Sequence, residues 1–428
     1  MGDSNRLEFD VPGSSRTLWT AIVALSLTTA YLALVTARYV ADCLSRSTDE
    51  SDLMWAARLD PGHAIYPHNV GRFEWLVRGD VRAAIPWFER ATELNPHNPT
   101  YWIDLALTRQ ATGEKGVERD DLLHALNAAP TRPDTALQVG NLLLSRGSLE
   151  DAMRAFRIVI ENDPGLAPQV IQTCWNKQPD IGFLLENVIP RSANETLLEF
   201  LISRKEQSAA AAVWAKMYSL QQPISRPHLF GYVRDLIAHQ QPAQSALVWR
   251  QAANMADLAP YQPSAENLLV NGDFSLEILD GGFDWMHQKA RGVALALDPN
   301  ETHSSSQSLR IVFDGPGIED AGIRQMVAVE PNTSYEFSAF YKAREMEGAG
   351  GARFAVQDLY RETPFFMSDD LQDADFWKKI GGSFVTGPET HLLVVRIARL
   401  PAGSPIRGKL WLDGLRLIQT RPAEGNSE

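Results

Sequence analysis

The sequence predicts a multidomain chain in which an N-terminal transmembrane helix precedes an all-α array of helical repeats and a C-terminal all-β sandwich. Three observations predict this order. Residues 17–37 carry no charge. Glycine, proline and apolar residues then recur with a helical-repeat period as far as residue 166. After Pro260, apolar and polar residues alternate between turn-forming residues, which is the period of β-strands.

The composition excludes several classes of protein. The chain has 428 residues, of which 44% are hydrophobic and 22% are charged, as in folded globular proteins. The 40 Lys and Arg residues are outnumbered by 53 Asp and Glu residues. Because nucleic-acid binding requires clustered basic residues, we expect no nucleic-acid partner. Cys43 and Cys174 are too few for a disulfide framework or a four-cysteine metal site.

The uncharged run from Thr17 to Ala37 predicts a transmembrane helix. At about 1.5 Å per residue, a helix of this length crosses a hydrocarbon core of roughly 30 Å. Arg16 and Arg38 bracket the run. A cleaved signal peptide is the alternative, with residues 35–37 as the cleavage site. Charge does not set the orientation, because each flank carries two arginines.

The next region shows a repeat of 34 residues. Three glycines and three prolines keep this interval: Gly79, Gly113, Gly147, Pro96, Pro130 and Pro164. The glycines are expected in the turn of a helical hairpin, and the prolines after its second helix. Small residues such as Ala84, Ala106 and Ala152 allow the helices to cross closely. The pattern resembles the tetratricopeptide repeat family over residues 65–166, within an array predicted for residues 50–166.

This resemblance implies a superhelix that binds a protein partner on its concave surface. Candidate groove residues are Asn69, Trp102, Asp104 and Asn141, with a packing role as the alternative for Trp102. Residues 167–260 keep helical patterning, which we interpret as two hairpins of degenerate repeats. The alternative for this region is capping and spacer structure.

Residues 264–420 predict an all-β sandwich of about eight to ten strands. The opening segment 267–275, the Gly-Phe-Asp-Trp motif at 282–285 and the closing segment 411–417 carry a further signal. They resemble galactose-binding-like jelly rolls, the carbohydrate-binding modules found beside xylanases and glucanases. The resemblance implies a jelly-roll fold and glycan binding.

Sugar recognition requires aromatic faces and planar polar groups. The candidate glycan-binding residues are Arg353, Gln357, Tyr360, Phe365, Phe366, Trp377 and Arg396. The resemblance also implies a structural calcium ion held by Asp273 and Asp413, since hard cations prefer oxygen ligands. Ser275 departs from the family pattern, which has Glu at this position. In the alternative, both aspartates accept hydrogen bonds from backbone amides. We expect no other cofactor.

The sequence lacks a glycine-rich phosphate loop, an H-E-x-x-H helix and a G-x-S-x-G elbow. We therefore predict a scaffold rather than an enzyme. Its repeats bind a protein, its sandwich binds a glycan in bacterial polysaccharide synthesis or export, and residues 17–37 bind the membrane. The β-module places the bulk of the chain on the periplasmic or extracytoplasmic side of the inner (cytoplasmic) membrane. The alternatives are a purely structural assembly factor of a membrane complex and a cryptic carbohydrate-active enzyme.

Overall fold

The protein is represented by a computed structural model that describes residues 14–113 and 116–420. The predicted tail at 421–428 and most of the predicted tail at 1–16 lie outside these residues. The chain divides into two compact units, Met1–Ala193 and Asn194–Glu428. The predicted order of a helical region followed by a two-sheet β-sandwich is confirmed.

The described part of the first unit is helical. Its helices are α1 (Ser14–Leu44), α2 (Glu50–Leu59), α3 (Ile65–Leu76), α4 (Val81–Leu94), α5 (Pro99–Thr112), α6 (Val117–Ala128), α7 (Pro133–Ser145), α8 (Leu149–Asn162), α9 (Ala167–Lys177) and α10 (Ile181–Asn187). The helices α3, α5 and α7 begin 34 residues apart, at 65, 99 and 133. Gly79, Gly113 and Gly147 have positive φ angles in the turns, as predicted. The repeat therefore consists of stacked helical hairpins.

Small residues set the helix crossings of the repeats. Ala84, Ala106 and Ala152 are fully buried. Gly140 on α7 allows an even closer approach, because a Cβ atom there would lie 2.7 Å from Cε1 of Phe156 on α8. Close crossing of the two helices in a hairpin thus depends on residues without bulk.

The N-terminal helix α1 continues beyond the uncharged run. Its segment Thr17–Leu44 is long and apolar enough to be a membrane span or a signal sequence. Its last turns pack as part of the array, because Ala41 is buried against Ala56 and Tyr66. Arg38 forms an ion pair with Asp60 at 3.5 Å. The helix ends at Leu44 rather than at residue 37 because these contacts extend it.

The second unit begins with four helices. They are α11 (Asn194–Ser203), α12 (Gln207–Ser219), α13 (Arg226–Ala238) and α14 (Pro242–Gln251). These match the two hairpins predicted between residues 167 and 260. The pair α9 and α10, which belongs to the first unit, was not predicted. Its second helix has only seven residues, too few to show a helical period in the sequence.

The rest of the second unit is a sandwich of two antiparallel five-stranded sheets. The strands are β1 (Met286–His287), β2 (Val293–Asp298), β3 (Ser308–Gly317), β4 (Asp320–Ala328), β5 (Ser334–Glu347), β6 (Gly351–Asp358), β7 (Pro364–Met367), β8 (Ala374–Val385), β9 (Leu392–Leu400) and β10 (Pro405–Gln419). We call the sheet β1-β4-β9-β6-β7 sheet I, and the sheet β2-β3-β10-β5-β8 sheet II. Phe274, Phe313, Phe337 and Phe354 fill the core between them.

Candidate functional site

Three of the predicted glycan-binding residues lie on the outer face of sheet I. Successive side chains of a strand point to opposite faces of the sheet. On β9, Val395 and Ile397 belong to the core, so Arg396 points outward. The same alternation places Arg353 and Gln357 of β6 on the outer face. The structure therefore brings these three polar residues to one surface.

Hydrogen bonds fix the polar side chains of this surface. Arg396 donates from Nη1 to Oδ2 of Asp320 at 3.0 Å, and from Nη2 to Oε1 of Gln357 at 3.2 Å. Arg353 donates from Nε to Oδ1 of Asp370 at 2.7 Å. Burial raises the pKa of Asp320, while the neighbouring Arg396 acts in the opposite direction. The Nε atom of Arg396 is buried and has no hydrogen-bond partner among the residues that the structure describes. Arg396 is thus oriented by two partners and keeps an unused donor.

Tyr360, a fourth predicted residue, connects sheet I to a helix. It follows β6, and its hydroxyl donates a hydrogen bond to the backbone carbonyl of Ile237 on α13 at 3.0 Å. Burial raises the pKa of the Tyr360 hydroxyl, which keeps it protonated as a donor at neutral pH. Helix α13 therefore lies beside the sheet that carries Arg396.

The segment at residues 277–283 packs against the hairpin α13–α14 and connects it to the sandwich. Trp249 of α14 is buried, donates from Nε1 to the carbonyl of Tyr261 at 3.0 Å, and lies 5.9 Å from the ring of Phe283. The Tyr261 hydroxyl donates to the carbonyl of Glu277 at 2.9 Å. A Cβ atom at Gly282 would lie 2.0 Å from the Trp249 ring. The hairpin and the sandwich are thus joined by close packing.

A groove runs between α13 and the outer face of sheet I. Its larger part is a cavity of about 910 Å³. The apolar lining of this part comes from Phe230, Val233, Ile237, Met286, Met326 and Tyr360. Its smaller part is a cavity of about 510 Å³. The polar lining of this part includes Lys289, Asp320, Gln357, Glu362 and Arg396. We call these parts the apolar half and the polar half of the groove; Arg324 and Leu359 line both.

The groove suits an uncharged polar or anionic ligand. The volume of each part falls within the range of small-molecule pockets, which is about 300–1,000 Å³. Arg324 and Arg396 are register partners on β4 and β9 and lie side by side on the outer face. Arg324 is exposed, and it forms no ion pair with the residues that the structure describes. Guanidinium and amide groups are planar donors that can bind hydroxyl or anionic oxygens.

Sequence reasoning missed part of this groove. Arg324 and Met326 alternate with the buried Ile323 and Val327 on β4, so the period of the strand indicated their outward direction. The contribution of α13 had no such signal. Its apolar residues Phe230, Val233 and Ile237 fall in the region that the sequence predicts only as helical hairpins. A sequence does not show what a helix faces.

Phe365 and Phe366 lie outside the groove. Both residues belong to the edge strand β7, which pairs with β6. Phe365 stacks on Phe384 with ring centroids 5.8 Å apart, and Phe366 lies 5.4 Å from Phe337. Both rings are half-buried against the core. They contribute to the sandwich edge in this structure.

Trp377 lies on the other sheet. It belongs to β8 of sheet II and contacts His303 at a centroid distance of 5.6 Å. His303 in turn stacks on Phe340 at 3.7 Å. Trp377 is therefore not brought together with Arg396, and the described lining of the polar half contains no aromatic residue.

The two predicted calcium ligands accept hydrogen bonds from the protein. The buried Asp413 carboxylate accepts from the backbone N–H groups of His303 and Ser304, at 2.7 and 3.0 Å, and from the Ser304 hydroxyl at 2.6 Å. Asp273 accepts from the backbone N–H and hydroxyl of Ser275. Three donors on one carboxylate leave Asp413 poorly suited to a cation, so these contacts favour the alternative of backbone bonding. Calcium binding stays a prediction.

The predicted groove residues of the repeats have different surroundings. Asn69 donates to the carbonyl of Ser45, next to the end of α1, at 3.2 Å. Asp104 accepts from Nε2 of the buried His68 at 2.8 Å. Trp102 donates to the carbonyl of Pro96 and stacks on His124 at 4.5 Å. Asn141 is exposed on α7. Three of the four residues thus make contacts within the array.

Comparison with curated sequences shows one resemblance in the helical region. Small glutamine-rich tetratricopeptide repeat-containing protein 2 of Mycosarcoma maydis is 31% identical over 85 residues, which is 20% of this chain. The match spans 24% of that relative's own length. No protein-family model matches the sequence. The predicted resemblance to tetratricopeptide repeats therefore has support from a curated sequence.

Comparison with solved structures gives similar chains for both regions. The carbohydrate-binding module CBM4 is 13% identical, with 36% of this chain and 99% of that chain covered, at a TM-score of 0.28. The CBM22-1 xylan-binding domain of Paenibacillus barcinonensis Xyn10C is 17% identical, and the match covers 38% of this chain and 99% of that chain, at a TM-score of 0.26. MamA is 15% identical, and the match covers 45% of this chain and 97% of that chain, at a TM-score of 0.28. The chain is similar to tetratricopeptide repeat proteins and to carbohydrate-binding modules.

Proposed function

We propose that this protein is a non-catalytic scaffold whose second unit binds a glycan in the groove between α13 and sheet I. The observation that carries the proposal is the polar half of the groove. There, Arg396 is held by Asp320 and Gln357 at hydrogen-bond distance. Such preoriented planar groups offer donors and acceptors to the hydroxyls of a sugar without a further cost of ordering the side chains.

Three carboxylates line the polar half, those of Glu319, Asp320 and Glu362. The contacts of Asp320 favour a binding role over a catalytic role for this residue. Asp320 accepts hydrogen bonds from Arg396 at 3.0 Å and from the backbone N–H of Gly322 at 2.6 Å. A general acid or nucleophile of a glycosidase needs a carboxyl group that is available to the substrate. Asp320 is already paired with a guanidinium group. The cryptic-enzyme alternative predicts release of reducing ends from a bound glycan, and the scaffold predicts none.

The proposed protein partner binds the repeats of the first unit. Trp55, Leu76 and Val77 near the start of the array are 55%, 59% and 70% exposed. Leu76 and Val77 are neighbours in the sequence, and exposed apolar side chains of this size can mark a protein contact. Together with the membrane anchor α1, this partner and the glycan would be held on one chain. Such tethering raises the effective concentration of one ligand near the other. We place this role in polysaccharide synthesis or export at the inner membrane.

A glycan array tests the proposal. The full chain, reconstituted in fluorescent phosphatidylcholine nanodiscs, is applied with empty nanodiscs as the blank. We expect binding to a defined set of glycans, loss of that binding in Arg396→Ala, and retention in Arg416→Ala. Arg416 is an exposed arginine on β10 of sheet II and serves as the matched control. Absence of binding by the unmodified chain would favour the purely structural alternative and reject the glycan proposal.

A further inference from the structure

The two halves of the groove differ in chemistry and share two lining residues, Arg324 and Leu359. In the apolar half, α13 contributes Phe230, Val233 and Ile237, whose spacing of three and four residues places them on one side of the helix. Phe230 is half-buried, whereas Val233 and Ile237 are buried and form the wall behind it. The floor opposite them contains Met286 and Met326 of sheet I. A sugar ring could stack on Phe230 or Tyr360, but the aliphatic and methionine side chains of this lining are better matched by an alkyl chain. An apolar group of the ligand would gain the most binding free energy by being buried in this half.

Three arginines, Arg226, Arg234 and Arg324, line the apolar half. Arg234 belongs to α13 and Arg324 to β4, and neither forms an ion pair with any residue that the structure describes. Arg226 donates only to the backbone carbonyls of Ala256 and Asp257 within the same described part. These three cations can bind an anionic group with charge-assisted hydrogen bonds.

Two carboxylates also line the apolar half. Asp280 accepts the backbone N–H of His287 at 2.7 Å, which engages one of its oxygens. Glu277 is the other carboxylate. The cations outnumber them by three to two in this lining. The balance favours an anion over a cation as the charged part of a ligand.

The position of Arg324 gives the order of the groups in the ligand. Arg324 lines both halves, so it lies where the apolar lining changes to the polar lining that contains Arg396 and Gln357. We propose that the ligand is an amphiphilic saccharide in which a phosphate group joins an apolar chain to a sugar. The chain occupies the apolar half under α13, the phosphate contacts Arg324, and the sugar occupies the polar half. This inference rests on the proposed glycan function and specifies its substrate class.

Isothermal titration of the full chain in phosphatidylcholine nanodiscs tests the inference, with empty nanodiscs subtracted. The probes are hexyl phosphate, inorganic phosphate and hexyl glucoside, all soluble without micelles at the concentrations used. We expect hexyl phosphate to bind about tenfold more tightly than inorganic phosphate, because only the former fills the apolar half. Hexyl glucoside, which lacks the anion, is expected to bind more weakly than hexyl phosphate.

Two variants separate the anionic contact from the apolar contact. Arg324→Gln is expected to weaken hexyl phosphate binding about tenfold, because a charge-assisted contact is lost. Ala238→Trp fills the apolar half from an exposed helical position and should weaken hexyl phosphate binding while leaving inorganic phosphate unchanged. The matched controls are Arg416→Gln on β10 and Ala215→Trp on the exposed surface of α12, and both should bind as the unmodified chain does.

Equal affinity for hexyl phosphate and inorganic phosphate would overturn the inference, as would an Arg324→Gln variant with unchanged affinity for hexyl phosphate. If either result accompanies glycan-array binding that depends on Arg396, then only the amphiphilic ligand is rejected. If array binding is absent as well, the glycan function itself fails.

Discussion

The hydroxyl of Tyr360 donates a hydrogen bond to the backbone carbonyl of Ile237 at 3.0 Å. Tyr360 belongs to the loop that leaves sheet I, and Ile237 to the last turn of α13. The hydrogen bond holds α13, which forms one wall of the groove, against sheet I, which forms its floor. A sandwich of this kind alone would present an open sheet face, whereas here a helix of the same unit encloses it.

Tyr360→Phe removes this hydrogen bond while it keeps the ring. We expect the opening free energy of α13 to fall by about 1 kcal/mol, the net contribution of a typical hydrogen bond. Amide hydrogen exchange of residues 226–238 measures this change. Tyr218→Phe on α12 is the matched control, since Tyr218 is 38% exposed. Unchanged exchange of α13 in Tyr360→Phe would show that the helix is held by other contacts.

Gly282 is expected to be intolerant of any side chain. Its φ angle is +64°, and a Cβ atom would lie 2.0 Å from the ring of Trp249. Gly282→Ala should therefore lower the free energy of unfolding by about 3 kcal/mol or more, since backbone strain and overpacking add. The matched control is Gly403→Ala, where φ is +76° but nothing lies within 4 Å, and about 1 kcal/mol is expected. Thermal unfolding of both variants measures the difference, and equal losses would contradict close packing at Trp249.

Asp284 is expected to make the stability of the second unit depend on pH. Burial raises its pKa from 3.8 to about 7, and its Oδ1 atom has no hydrogen-bond partner in the described structure. Between these values the folded state binds more protons than the unfolded state, so the free energy of unfolding falls as the pH rises from about 4 to about 7. Asp284→Asn removes this contribution.

Thermal unfolding at several pH values measures the effect. The stability of Asp284→Asn relative to the unmodified chain should increase between pH 4 and pH 7 and then level off. The change over this range should be a few kcal/mol, since one pK unit corresponds to about 1.4 kcal/mol. A stability difference that stays constant over the range would mean that Asp284 ionises normally in the folded protein.

The proposed membrane topology predicts that Cys43 reacts with a thiol reagent applied from outside the cytoplasm. Cys43 is exposed near the end of α1, after the uncharged run at residues 17–37, whereas Cys174 is buried and burial raises its pKa to about 12. Because the thiolate is the reactive form, Cys174 serves as an internal control that should not react. In spheroplasts of an expressing bacterium, a membrane-impermeant maleimide should label Cys43 without lysis. Labelling only after lysis would place the repeats in the cytoplasm.

The sequence was sufficient to predict the repeats and the sandwich because both have strong periodic signals. Gly79, Gly113 and Gly147 each stand where a left-handed turn is needed, and the structure has such a turn at each position. Alternation on β6 and β9 is a property of the same kind, and in the structure it places Arg353, Gln357 and Arg396 on one face. These are local properties of a helix or strand, and local properties can be read from residue spacing.

Contacts between distant parts of the chain could not be predicted in the same way. Tyr261 lies between the predicted helical region and the predicted sandwich, yet it is buried and its backbone carbonyl accepts the Trp249 indole hydrogen bond. Phe365 and Phe366 were candidates for glycan binding, but they pack on Phe384 and Phe337. In each case the deciding contact lies with a distant part of the chain. Residue spacing carries no information about such contacts.

The hydrogen-exchange footprint of a glycan retained by the array tests the central claim most directly. If the groove is the binding site, the bound glycan should slow exchange in α13 and in strands β4 and β9 of sheet I, and Arg396→Ala should abolish the effect. Protection confined to sheet II, or protection that leaves α13 and β9 unchanged, would contradict the claim.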